Sequence, residues 1–255
     1  MSALLSVEGL AKSFGAVAAT RDLSLDVKEG TIHAVIGPNG AGKTTLVAQL
    51  AGELRPDAGR ILFDGRDVTR LPVHRRVSLG LARSFQISNT LLSFSLLENV
   101  ALAVQARHGH SFRFWADAAR DERINAEALA TLQTVGLAER RDRPASEVSH
   151  GERRLLEIAI ALATGPKMLL LDEPMAGVGP EEGQRMVEML RALRGQFTIL
   201  LIEHDMDAVF RLADRITVLV YGRPIATGTP DEIRADAAVR EAYLGEEDDE
   251  LGGDA

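Results

Sequence analysis

An α/β fold, with a mostly parallel sheet, an antiparallel β subdomain at the N-terminus and an inserted helical subdomain, is what three features of this 255-residue chain predict. Apolar and polar residues alternate from Leu5 to Val27. Short continuous apolar runs later in the chain take turns with helix-forming stretches. A long helical segment separates two blocks of such runs.

The alternation at Leu23, Leu25 and Val27 is the period of strands with one covered face, so the N-terminus reads as antiparallel strands. Thr31 to Ile36 is instead a continuous run rich in β-branched residues. It ends at Gly37, and a Gly-rich turn then leads into a helix-forming stretch from Lys43 to Leu50, which gives strand, loop, helix. Arg60 to Phe63 reads as a further short strand. Between Ile87 and Gly165 the pattern is helical, at Leu96 to Arg107, Asp121 to Val135 and Glu152 to Ala163, which predicts a helical subdomain inserted at about 87–165. After Pro166, strands at Met168 to Leu171, Thr198 to Ile202 and Ile216 to Tyr221 alternate with helices at Glu181 to Leu193 and Met206 to Ala213. That order favours a parallel sheet covered by helices. One domain over 1–245 and a disordered acidic tail over 246–255 complete the reading, and there is no internal repeat.

The formal net charge is −8, but six carboxylates lie between Glu246 and Asp254, and the rest of the chain is near −2. A near-neutral body lacks the positive field that gathers nucleic acid, so no nucleic-acid partner is expected. With no cysteine, disulfides and thiolate-held metal centres are excluded. The apolar runs are far shorter than the roughly 20 residues that span a bilayer, and the N-terminus lacks the features of a signal peptide. A cytoplasmic protein is expected, with membrane contact made through partners.

The strongest chemical signal is Gly37-Pro38-Asn39-Gly40-Ala41-Gly42-Lys43-Thr44-Thr45, a phosphate-loop pattern in its strand-to-helix context. Glycines let backbone N–H groups turn inward on phosphate oxygens, a helix N-terminus adds positive potential, and Lys43 reaches the β- and γ-phosphates of ATP. The Thr44 hydroxyl is placed to ligate Mg2+. A second site is the apolar run Met168 to Leu171, which delivers Asp172 and Glu173 at a strand end, where open α/β sheets bind ligands. Asp172 is expected to hold Mg2+, and Glu173, pointing elsewhere in the pleat, to polarise the attacking water. These two motifs fix nucleotide chemistry and leave kinases, GTPases, motors and transport ATPases open.

Val148-Ser149-His150-Gly151-Glu152-Arg153, directly before an apolar helix, narrows the choice. Here the chain resembles the ABC ATPase family, whose signature most often reads Leu-Ser-Gly-Gly-Gln. Ser149 and Gly151 match, whereas His150 and Glu152 differ. By itself Ser149 reads equally well as a helix N-cap. The order of phosphate loop, Gln86, signature, Asp172-Glu173 and His204 matches the family's order over nearly the whole chain. The resemblance implies a P-loop core in which Ser149, Gly151 and Glu152 meet the nucleotide held by a second subunit. It also implies that Gln86 touches Mg2+ and the water, and that His204 bonds the γ-phosphate and Glu173. Phe14 has the position of the aromatic that stacks on adenine; core packing is an equal reading. Gly179 stands where the family usually carries its D-loop aspartate, a departure that bears on communication between the two sites.

Arg83-Ser84-Phe85-Gln86, Gly151 to Ala159, Asp172 to Gly177, Ile202 to Met206 and Ala242 to Gly245 resemble the branched-chain amino acid importer group. Urea and amide importers and a lipopolysaccharide-export ATPase are close relatives of that group. The resemblance implies a homo- or heterodimer of ATPase chains on the cytoplasmic face of the inner membrane. Two integral membrane permease subunits and, indirectly, a periplasmic solute-binding protein are the implied partners. A soluble ABC-type ATPase of DNA repair or translation is the alternative, but the chain has neither a second ATPase half nor a long coiled-coil insertion. Leu91, Leu92, Phe94, Leu96 and Leu97 read either as helical core or as an apolar groove for a membrane subunit. His108 and His110 read as a solvated loop, since a third metal ligand is missing.

Overall fold

The computed structural model describes residues 3–84, 90–109 and 121–242. They form two compact units, Met1–Arg76 with Arg194–Ala255, and Val77–Leu193. The acidic tail and His110 lie outside the described residues.

In the first unit, β1 (Ala3–Phe14) pairs antiparallel with β2 (Val17–Lys28) and with β4 (Ala58–Phe63). A two-residue β5 (Arg66–Asp67) completes a sheet of order β2-β1-β4-β5. Leu23, Leu25 and Val27 are buried while their neighbours are not, the alternation that a one-sided sheet requires. In a second set of strands β3 (Ile32–Ile36) lies parallel to β8 (Thr198–Ile202) on one side and to β9 (Arg215–Val220) on the other. Every residue of β3 and β8 is buried, as expected for parallel strands covered on both faces. Each fully buried Leu or Ile there stabilises the fold by about 1.5–3 kcal/mol.

The helices of this unit include α1 (Lys43–Ala51), α2 (Val73–Ser78), α7 (Met206–Leu212) and α8 (Pro230–Ala235). Ala34 and Ile36 of β3 share a core with Ile216 and Val218 of β9, Val209 of α7 and Ile233 of α8. Arg234 of α8 lies 4.1 Å over the ring of Phe210, a cation–π contact at the edge of that core. The antiparallel β10 (Arg223–Gly228), beside β9, and the short α2 and α8 were not expected from the sequence. Strand β10 contains Pro224 and buries only Gly228, so it carries little apolar signal, as suits an edge.

In the second unit β6 (Leu81–Arg83) runs parallel to β7 (Met168–Asp172), with Arg83 opposite Leu170. Strand β6 is three residues long, too short for periodicity to show. Among the described residues, four α-helices accompany the pair: α3 (Leu96–His108), α4 (Glu122–Thr134), α5 (His150–Ala163) and α6 (Pro180–Leu193). Ser95 caps α3 with a reciprocal Glu98 contact, and Asp121 caps α4 by accepting from Arg123 and Ile124. Buried Asn99 accepts from the Leu91 amide and donates to the carbonyls of Leu91, Phe94 and Ser95, which fixes the loop ahead of α3. That loop leaves Leu91, Leu92 and Phe94 exposed while Leu96 is fully buried. The five residues therefore divide between surface and core.

Candidate functional site

Strands β3 and β8 are neighbours in register, Val35 opposite Ile202, so the loops that follow them leave the same end of the sheet side by side. One is Gly37 to Thr45 and the other begins at Glu203 and His204. The first loop curls tightly. A side chain on Gly42, whose φ is +99°, would overlap the carbonyl oxygen of Ala19, so glycine is required there by space as well as by conformation. Ala41 donates to Pro38 O at 3.1 Å, and Gly222 donates to Ala41 O at 2.9 Å, tying the loop to the turn after β9.

The loop opens α1, whose N-terminus has no side-chain cap and no acidic residue in its first turn. Helix α3, by contrast, carries Glu98 there, and α5 carries Glu152. An N-terminus kept clear of carboxylates has its N–H groups and positive end of the dipole directed at whatever anion approaches. Lys43 is buried, and its Nζ donates to the carbonyls of Gly37 and, at 3.0 Å, Pro38. The ammonium is thereby held inside the curl of the loop. Thr44 is exposed and Thr45 half-buried, while Pro38 is half-buried and Asn39 and Gly40 are exposed at the tip.

His204 is 63% exposed. Its backbone N–H donates to Glu203 Oε2 at 3.1 Å, and its Nδ1 lies 3.8 Å from the same oxygen. Glu203 itself is fully buried. The sequence drew attention to His204 and passed over Glu203, whose carboxylate holds the His204 backbone. Phe14 ends β1 with 52% exposure, so its ring is a surface group and not part of the core, with the Lys12 ammonium 5.7 Å from its centroid.

In the second unit Asp172 is the last residue of β7 and is almost completely buried. Its Oδ2 accepts from Arg83 Nη2 at 2.9 Å, a charge-assisted bond between the ends of neighbouring strands. Arg83 therefore aims the carboxylate, a role that its place in the Arg83-Ser84-Phe85-Gln86 stretch did not reveal. Glu173 does not continue the pleat, as the sequence suggested. It has left the strand and takes a left-handed φ of 48°, a conformation costly for a residue with a Cβ, which turns its half-buried side chain away from the line of β7. Gln86 lies outside the described residues.

Ser149 is the N-cap of α5. Its Oγ accepts from Glu152 N at 3.1 Å, and the Glu152 carboxylate returns to Ser149 N at 3.0 Å. Glu152 also pairs with Arg140 at 2.9 Å, so its carboxylate serves the cap and an ion pair. The Ser149 hydroxyl hydrogen goes elsewhere, to Glu182 Oε1 on α6 at 2.8 Å. The N-cap reading is thus realised, and the hydroxyl proton left over is taken by the Glu182 carboxylate. His108 is joined to Glu127 at 3.1 Å.

Thr44 offers a hydroxyl and Asp172, by itself, a carboxylate, each a hard oxygen of the kind Mg2+ takes when substrate phosphates and water supply the rest.

Comparison with known proteins gives these motifs a context. The ABC transporter family profile matches residues 20–176 of the chain. A profile described as branched-chain amino acid ATP-binding cassette transporter matches residues 223–249. The chain is 41% identical over 251 residues to the high-affinity branched-chain amino acid transport ATP-binding protein LivG of Salmonella typhimurium, covering 95% of this chain and 98% of that protein. It is 34% identical over 245 residues to the lipopolysaccharide export system ATP-binding protein LptB of Haemophilus influenzae, covering 96% and 98%. Among solved structures, the ADP conformation of MJ1267, an ATP-binding cassette of an ABC transporter, superposes with a TM-score of 0.84 at 31% identity, over 96% of this chain and 100% of that one.

Proposed function

The chain belongs to the ABC transporter ATP-binding family and is an ATPase subunit of such a transporter, and from that premise we propose that it binds Mg2+ and ATP and hydrolyses the nucleotide between two ATPase chains. The observation that carries the reading is the loop Gly37 to Thr45, curled at an uncapped, acid-free helix N-terminus with Lys43 held inside it. In this reading the loop amides and Lys43 bind the β- and γ-phosphates, and Phe14 offers its exposed ring to adenine. Thr44, Asp172 and Gln86 would hold Mg2+, which neutralises charge on the phosphates when bound. Glu173 accepts a hydrogen bond from the attacking water. As the water oxygen bonds to the γ-phosphorus, the bond to the bridging oxygen breaks and leaves ADP and inorganic phosphate. His204, its backbone held by Glu203, donates to the γ-phosphate.

Ser149 and Gly151 of a second ATPase chain, identical or related, close the site, with Glu152 bracing their turn through the cap. Two bound nucleotides hold the pair together and hydrolysis releases it, so binding drives the switch and turnover resets it. The cassette of 1–245, with its helical part at about 87–165, works on integral membrane permease subunits at the cytoplasmic face of the inner membrane. A cavity of about 570 Å3, apolar at Phe94, Leu97 and Leu102 and polar at Glu98, Gln105 and Asp142, suits an amphipathic segment from such a subunit. The full-length similarity to LivG and the C-terminal match favour import of branched-chain amino acids, delivered by a periplasmic binding protein. The similarity to LptB supports lipopolysaccharide export as the second reading, at lower identity.

The test is a pair of variants. Glu173→Gln is expected to bind ATP normally, to lose turnover by about 100-fold or more, and to persist as an ATP-dependent dimer. Lys43→Ala is expected to weaken ATP affinity itself in an equilibrium titration. Normal turnover in the first would remove Glu173 from its role, and undiminished affinity in the second would remove the loop from its own.

A further inference from the structure

Glu182 stands in the first turn of α6, and its carboxylate reaches across to α5. One of its oxygens accepts the Ser149 hydroxyl proton at 2.8 Å. The other lies close to Gly151, where a Cβ would overlap it unless the Glu182 side chain moved. A carboxylate is thereby lodged on the Ser149–Gly151 turn, at the anion-favouring end of α5.

We propose that Glu182 is an autoinhibitory occupant of this turn, a carboxylate of the chain itself that the γ-phosphate of the opposing subunit's ATP must displace. The inference rests on the reading that the Ser149 turn receives that phosphate. Ser149 has a single hydroxyl proton, and its lone pair already serves Glu152 N. A phosphate oxygen and the Glu182 carboxylate cannot both accept that proton, and two anions at one helix terminus repel. Glu182 has somewhere to go. A cavity of about 250 Å3, which Ser149, Gly151 and Glu182 line together with Glu147 and Glu152, reaches Arg185, one turn along α6 from Glu182 and beyond the Arg140–Glu152 pair. A carboxylate turned toward Arg185 also stays at the N-terminus of its own helix, where it remains favourable. Displacement thus exchanges one partner for another, and it sets a threshold of ATP occupancy below which the two chains stay apart.

The experiment measures, by sedimentation, the Mg2+-ATP concentration at which half of the full-length Glu173→Gln chain is dimeric, and repeats it with Glu182→Gln and with Glu182→Ala added. Both additions remove the competing charge and are expected to lower that concentration about fivefold. An unchanged or raised threshold in both overturns the proposal, and a rise accompanied by a lower melting temperature identifies Glu182 as a brace for α5 and nothing more. Ser149→Ala in the same background separates the two ideas. If that variant assembles at the parent concentration, the reading of the Ser149 turn fails; if it alone shifts, upward, while the Glu182 variants do not, only the inference about Glu182 falls.

Discussion

Among single residues, Arg76 shows how α1 is anchored at the end away from the Gly37–Thr45 loop. Its guanidinium is fully buried and donates to four carbonyls: Gln49 at 2.7 Å, Leu50 at 2.6 Å, Leu71 at 3.0 Å and Thr69 at 3.1 Å. The first two belong to the last turn of α1, where a cation also complements the helix dipole. Burial lowers the guanidinium's pKa to about 10, which still leaves it charged at neutral pH. Replacing Arg76 with Met removes these donors and leaves buried carbonyls unserved, and is expected to cost about 3 kcal/mol of stability. Urea unfolding checks this, and a change below about 0.5 kcal/mol would show that α1 is anchored by apolar packing alone. Arg76 had no signature in the sequence, because its partners are main-chain carbonyls that any residue supplies. Lys43 was legible for the opposite reason, since its chemistry is bound to glycines immediately before it. Glu182 and Arg83 escaped notice because their partners, Ser149 and Asp172, are 33 and 89 residues distant.

At the level of elements, the strands around β3 contain a titratable group that links folding to pH. His33 of β3 is buried, and its Nε2 lies 2.8 Å from Thr217 Oγ1 of β9, which in turn lies 2.9 Å from Thr227 Oγ1 of β10. Burial, with a contribution from the Arg215 charge, lowers the imidazole from 6.5 to about 4. The unfolded chain therefore takes up a proton that the folded chain refuses between those values. Stability is full above about pH 6.5 and declines as pH falls toward 4, by about 2 kcal/mol at pH 5. His33→Gln keeps a hydrogen-bonding side chain without the titration. Urea midpoints at pH 7.5 and pH 5 are expected to differ less in the variant than in the parent, and equal differences would place the acid sensitivity elsewhere. The strands themselves were legible where burial is two-sided, at β3, β7 and β8, or strictly alternating, at β2. The edge strand β10 and the three-residue β6 were not, because neither buries enough apolar surface to leave a pattern. Glu173 was placed in the pleat because nothing local announces a left-handed residue that lacks glycine's freedom.

For the whole molecule, the chain supplies two half-sites of opposite character. In the proposed function one is a loop and lysine that grip a triphosphate, and the other is a serine-capped helix end that takes the opposing chain's phosphate in place of its own Glu182. In that reading a self-complementary pair of chains satisfies both at once, and assembly depends on ATP because the phosphates join the two surfaces. The absence of native cysteine makes this directly measurable. Asn39 at the tip of the loop and His150 beside Ser149 are both exposed. Two singly substituted Glu173→Gln chains, one carrying Asn39→Cys and the other His150→Cys, can form a mixed disulfide only across a subunit boundary. With Mg2+-ATP the mixed dimer is expected to cross-link rapidly, and with ADP hardly at all. Cross-linking at the same rate with either nucleotide, or with neither, would contradict a nucleotide clasped between the phosphate loop of one chain and the serine turn of another.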